Sequence, residues 1–125
     1  MPTKLVMSKY VDVYLLPIPE VNLPAYKKLA TRAGKLFLKH GALRYREYAA
    51  SDLTTEGVVP FPKRIKLLEG ETLVYAAVEF ASEAQRNKAM KAIMQDEDMR
   101  NMMTGEPLFN YKRMVYGGFK ILVDL

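Results

Sequence analysis

Hydrophobic and polar positions follow a period of two in some stretches and of 3.6 in others, and this rhythm sets the expected order of elements. "KYVDVYLLPIP" alternates and stops at Pro17 and Pro19, which predicts a strand over about Tyr10 to Leu16. Asn22 then stands as an N-cap with Pro24 in the first turn. Tyr26, Ala30, Ala33, Phe37 and His40 recur at spacings of three and four, with Leu29 and Leu36 widening the stripe. Lys28, Arg32, Lys35 and Lys39 take the opposite side of this helix, and Gly41 supplies its left-handed stop. "ALRYREYAA" reads as a second strand. Ser51 to Glu71 carries Gly57, Pro60, Pro62 and Gly70, and reads as loop with a short edge strand at Lys63 to Leu67. "TLVYAAVEF" is a strand from Thr72 to Phe80. Ser82, with Gln85 three residues on, opens a helix to about Gln95 that turns Ala89 and Ile93 inward. "DEDMRNMMTG" adds a further helical turn, and a last strand spans Arg113 to Val123.

The order βαββαβ predicts an α+β chain, ferredoxin-like, with both helices on one face of an antiparallel sheet. Strand alternation sorts the side chains between the faces. The aliphatic sets Val11, Val13, Leu15; Val74, Ala76, Val78, Phe80; and Val115, Gly117, Phe119 are expected under the helices. Tyr10, Asp12, Tyr14, Tyr75, Glu79, Met114 and Tyr116 are expected on the free face. Tyrosines in that number are too apolar for a plain solvated surface, so the free face is expected to meet a second copy, a ligand, or both. The expected ligand-lining set is Tyr10, Asp12, Tyr14, Arg44, Tyr75, Glu79 and Tyr116. Gly117 and Gly118 project to opposite faces, one admitting a helix and the other leaving room beside Tyr116. No helix follows them, so they do not form a phosphate loop.

Length and composition narrow the classes. With 125 residues the chain is expected to be one domain over residues 9–125, after a loose extension over residues 1–8. It has no cysteine, which removes disulfides and thiolate chemistry and fits a reducing cytoplasm. No apolar run approaches the roughly 20 residues of a membrane span. The opening "MPTKLVMSKY" has neither the apolar core nor the cleavage site of a secretory signal. The net charge of +5 is scattered rather than blocked, so the bland reading of a solvated basic surface is favoured over a nucleic-acid footprint.

At "YVDVYLLPIP", "AGKLFLKHGALRYRE" and "KRMVYGGF" the chain resembles domain-of-unknown-function family 1428, within the dimeric α+β barrel superfamily. The resemblance runs from Lys9 over nearly the whole chain and implies a ferredoxin-like fold paired through its sheets into a barrel. There are departures. Asn110-Tyr111 stands where an Asp-Gly pair is usual, Tyr48 where a cysteine is common, and Ala77 near a usual tryptophan. Haem-degrading and cofactor-free quinol oxygenases belong to the same superfamily. They use a tryptophan that this chain lacks, which argues against haem breakdown.

Candidate chemistry is sparse. His40, the sole histidine, could serve as a general base or an axial haem ligand, although its place beside the Gly41 stop favours capping the helix end. Asp12 and Glu79 could act as an acid–base pair, or could be neutralised by Arg44, Arg46 or Arg113. The acids lack metal-ligand spacing and no serine sits in a nucleophile elbow, so neither a metal nor another cofactor is expected. The methionines from Met90 to Met103 read as core packing. The sequence therefore points to a cytoplasmic homodimer joined through its sheet face and holding a small organic ligand in the barrel interior. The alternatives are a structural dimer without ligand, or weak RNA binding.

Overall fold

β1 (Tyr10–Pro19) occupies an inner position in a four-stranded antiparallel sheet, between β3 (Glu71–Phe80) and β4 (Val115–Lys120), with β2 (Arg44–Ala49) at the far edge beyond β3. The order β2-β3-β1-β4 is the ferredoxin-like arrangement the element pattern predicts. The computed structural model describes residues 6–125, so the first five positions of the expected N-terminal extension lie outside it. α1 (Leu23–Lys39), α2 (Glu83–Gln95) and the short α3 (Glu97–Met102) cover one face of the sheet.

The helix ends follow local chemistry. Ser82 Oγ accepts from the Gln85 N–H at 3.1 Å, so the cap of α2 forms as its sequence suggests. Asp96 caps α3 by accepting from the Asp98 N–H at 2.9 Å. Asn22 precedes α1 but makes no side-chain cap; its amide donates instead to the Leu108 carbonyl at 2.9 Å, tying the start of α1 to the chain before β4. Gly41, at φ +115°, turns the chain out of α1.

Register decides which side chains the helices cover. Tyr10 lies opposite Phe80, Asp12 opposite Val78 and Gly118, and Tyr14 opposite Ala76 and Tyr116. Residues directly opposite share a face. The covered face therefore carries Tyr10, Asp12, Tyr14, Leu16 and Ile18 together with Val74, Ala76, Val78 and Phe80. Tyr45 and Glu47 of β2 and Tyr116 of β4 join them. The aliphatic sets of β1 and β4 were expected on this side; they lie instead on the open face, as Val11, Val13, Leu15, Val115, Gly117 and Phe119. Tyr75, Glu79, Arg44, Arg46 and Tyr48 share that open face.

Two linked clusters fill the space beneath the helices. Phe37, Ala42, Val78, Phe80, Ala89 and Ile93 form one, and Leu16, Ile18, Tyr26, Ala30, Val74, Ala76 and Phe109 the other, with Tyr14 packed against both. Phe80 and Ile18 have no exposed surface, each stabilising the fold by about 1.5–3 kcal/mol.

Several boundaries differ from expectation, and β1 runs through Pro17 to Pro19 instead of ending at Leu16. Lys63–Leu67 forms no strand; Phe61–Lys63 is a 3-10 turn, introduced by Pro60 and containing Pro62. β4 stops at Lys120 rather than Val123; just beyond it the Ile121 N–H donates to the Lys9 carbonyl at 3.0 Å, the last such backbone bond between these segments among the described residues. At its other end Tyr111–Arg113 is a 3-10 turn. Arg113 there holds Glu71 in a two-pronged pair at 2.6 and 2.8 Å, and also reaches the Lys66 carbonyl.

Candidate functional site

The sheet's covered face carries two carboxylates, and the elements above them treat the two differently. Asp12, on the inner strand β1, is fully buried. Arg86 descends on it from the first turns of α2, its Nη1 donating to Asp12 Oδ1 at 3.1 Å. The Tyr116 hydroxyl donates to the same oxygen at 3.0 Å and accepts from Arg86 Nη1. Arg86 Nη2 donates to the Tyr10 hydroxyl at 2.8 Å, and the guanidinium stacks 4.9 Å from the centre of the Tyr10 ring. Burial raises the Asp12 carboxyl, against the opposing pull of the Tyr116 hydrogen bond and of Arg86. Tyr116 is pushed up to about 12, first by burial and then by its hydrogen bond to Asp12, so its hydroxyl keeps its proton at neutral pH. Asp12 Oδ2 and Arg86 Nε are enclosed without a partner.

Gly118 makes this cluster possible. A Cβ there would stand 2.0 Å from the Tyr10 hydroxyl oxygen and 2.8 Å from Cζ, so the phenol reaches Arg86 only across a bare backbone. Gly117 faces the open side, where a Cβ would meet the Phe119 ring at 3.3 Å.

The second carboxylate is Glu47, on the edge strand β2. Tyr26, from the first turns of α1, donates its hydroxyl to Oε1, and Tyr45, two residues before Glu47 on the same strand, donates to Oε2. Burial raises both tyrosines well above the usual phenol range, with Glu47 adding to the effect, so both remain donors. Glu47 makes no ion pair among the described residues. It lies in the wall of a cavity of about 170 Å³ between α1, α3 and the sheet. Leu16, Leu29, Phe37, Met99, Met102, Phe109 and Met114 supply most of the apolar lining. On its outer side the Tyr26–Glu47–Tyr45 group borders a wider groove of about 540 Å³ between α1 and β2. Gly34 lets α1 approach here, since a Cβ would come within 2.6 Å of the Tyr45 ring. Tyr14 joins the two carboxylate regions; it lines the cavity, and its ring lies 4.8 Å from that of Tyr116.

The residues singled out in the sequence are thus divided. Tyr10, Asp12, Tyr14 and Tyr116 come together under α2. Tyr75, Glu79 and Arg44 lie on the opposite face, where Glu79 pairs across the strands with Arg44 and Val11. Asp12 and Glu79 consequently do not form an acid–base pair. His40 caps the end of α1, where its Nε2 lies 2.7 Å from Asp96 Oδ2, and Lys39 reaches the same oxygen at 3.1 Å. Asp96 is held down at about 2 by the His40 contact first, then by the Asp98 N–H and Lys39. Sequence reasoning missed Arg86, Glu47 and Tyr45. Arg86 had a signal: it precedes Ala89 and Ile93 at helical spacing, which sets a charge on the inward stripe of α2. No group of ligating side chains suited to a metal occurs among the described residues, and none of their helices is long and apolar enough to cross a membrane.

The likenesses to known proteins agree with this architecture. The chain is 36% identical over 116 residues to an uncharacterized protein, YbaA, of Escherichia coli K12, covering 93% of this chain and 98% of that one. The same identity and coverage hold for YbaA of Shigella flexneri. A dimeric ferredoxin-like protein from an uncultured marine organism superposes with a TM-score of 0.57 at 10% identity, covering 95% of this chain and all of that one. A NipSnap family protein of unknown function from Agrobacterium tumefaciens gives 0.56 at 12% identity, over 91% and 88% of the two chains. At such identities the structures attest the fold alone. Residues 9–110 match the family described as "Protein of unknown function (DUF1428)", and to that family the chain belongs.

Proposed function

We propose that the protein is a homodimer joined through its open sheet face, each subunit binding a small organic molecule in the cavity between α1, α3 and the sheet. One observation carries the ligand reading. A cavity of about 170 Å³ lies beneath the helices, lined mainly by apolar and aromatic side chains, with Glu47 bringing a carboxylate and Tyr14, Tyr26, Tyr45 and Tyr111 bringing phenols. Interiors normally close such space, and a dry engineered cavity of about 150 Å³ in another protein takes up benzene. A ligand of about one ring, apolar with a single polar attachment point, matches that volume and lining.

The dimer reading rests on the open face. Val115 and Phe119 are about half exposed there, beside Val11, Val13 and Leu15. A large apolar sheet surface of this kind calls for a cover. Arg44, Arg46 and Glu79 make no ion pair among the described residues, and a second copy related by a two-fold axis would set Glu79 against those guanidiniums. The structures of similar fold that are described as dimeric favour the same reading. The cysteine-free composition is in keeping with a cytoplasmic setting.

A thermal-melt titration with benzyl alcohol, alongside sedimentation at micromolar concentration, tests both parts. A rising melting temperature and a dimeric mass are expected; a melt indifferent to millimolar ligand would overturn the cavity reading. The competing reading, a structural dimer without ligand, draws on the flexible thioethers of Met99, Met102 and Met114, which can swing inward and fill the space.

A further inference from the structure

The cavity's ligand class follows from its charge. Glu47 brings a carboxylate to the wall, and no lysine, arginine or histidine among the described residues pairs with it. Its partners are two phenols, which donate hydrogen bonds but carry no charge. A carboxylate has about four acceptor positions, so room remains for a further donor. Around it stand the rings of Tyr14, Tyr26, Phe37, Tyr45, Phe109 and Tyr111. Aromatic faces attract cations through their quadrupoles, most strongly where water is excluded. Methionine sulfurs add soft, adaptable contacts. A carboxylate without a counter-ion inside an aromatic lining is complementary to a positive charge on an apolar body. Anions are disfavoured there by the same carboxylate.

We infer that the cavity recognises a small organic cation, an ammonium group carried on a single ring or a short apolar body, with Glu47 as its counter-ion. The inference rests on the cavity reading and adds a sign to it. Lys27 and Lys35 line the outer groove but are solvent-exposed, so their effect falls on the approach of a ligand rather than on its bound state. Tyr26 and Tyr45 keep the carboxylate aimed and need not move, because the ammonium takes acceptor positions they leave free.

The test compares three ligands of one shape, benzylammonium, benzyl alcohol and benzoate, by calorimetry on the wild-type protein and on Glu47→Gln. Benzylammonium is expected to bind the wild type about tenfold more tightly than benzyl alcohol, the size of a charge-assisted hydrogen bond over a neutral one. Benzoate should bind most weakly. In Glu47→Gln the preference for the cation should disappear while benzyl alcohol still binds, which also shows that the variant retains its cavity. Equal affinities for the cation and the alcohol in the wild type would overturn the assignment and leave the cavity reading standing. Tightest binding of benzoate would likewise overturn it, and would point to the groove lysines. Failure of all three ligands to bind would overturn the inference and the cavity reading together.

Discussion

Asp12 and Glu47 lie on the same face of the same sheet, and each takes hydrogen bonds from tyrosine hydroxyls. Under α2 the fold supplies a counter-ion, Arg86, and the buried carboxylate is neutralised. Under α1 and α3 no counter-ion pairs with Glu47 among the described residues, and a cavity lies beside the carboxylate. A charge matched by its own fold holds elements together; a charge left unmatched next to empty space is available to a molecule from outside. The first region accordingly acts as a clasp between α2 and the sheet, and the second is the proposed binding site.

That contrast can be broken from either end. The largest effect is expected at the clasp. Asp12→Ala leaves Arg86 facing the sheet without its counter-ion and should cost about 3–5 kcal/mol, read from chemical denaturation. Replacing both partners, Asp12→Leu with Arg86→Met, should recover most of that loss, since an apolar pair of similar volume avoids the unpaired charge. A double variant as unstable as the single one would contradict a clasp role. Gly118→Ala comes next. Its methyl displaces the Tyr10 phenol from Arg86, at a cost of about 1–3 kcal/mol, measurable by the same denaturation.

At Glu47 the expectation inverts. Glu47→Gln should shift stability by less than about 1 kcal/mol, because the amide oxygen can still accept from one tyrosine, while ligand preference changes as described above. A loss as large as that of Asp12→Ala would make Glu47 a second clasp and erase the distinction. On the open face, where Phe119 is exposed, Phe119→Glu should leave the subunit folded and shift the proposed dimer to monomers in sedimentation, since it sets a charge in the apolar surface.

The smallest effect lies at the end of α1. Removing His40, as His40→Ala, should raise the Asp96 carboxyl from about 2 toward its usual range, observable by NMR titration. The sign follows from the depressed value. What Asp96 contributes is present above about pH 4, where the unfolded carboxyl is ionised, and is lost as the pH falls toward 2.

The element order was legible from periodicity and punctuation. The caps at Ser82 and Gly41 and the alternating strands act locally, whereas β1 runs on through Pro17 to Pro19, past the proline stop the sequence suggests. Which face of each strand goes inside was not legible. Both faces of β1 are apolar enough to be buried, with Val11, Val13 and Leu15 on one and Tyr10, Tyr14 and Leu16 on the other. Register decides between them, and here no tight hairpin sets it: β2 and β3 are separated by residues 50–70, and β1 meets both its neighbours only through long-range pairing. Tyr10, Asp12 and Tyr116 could therefore be grouped by sequence alone, while their separation from Tyr75 and Glu79 could not. Glu47, one of the residues that carry the family resemblance, was not legible as a site residue for a related reason. It becomes distinctive only once Tyr26, distant in the chain, is brought to its side chain.

The most direct measurement is a crystal structure determined at saturating benzylammonium. The ring is expected in the cavity between α1 and α3, with its nitrogen about 3 Å from a Glu47 carboxylate oxygen and Tyr26 and Tyr45 still donating to that group. A cavity closed by Met99 and Met102 turned inward, with no ligand density beside Glu47, would contradict the account.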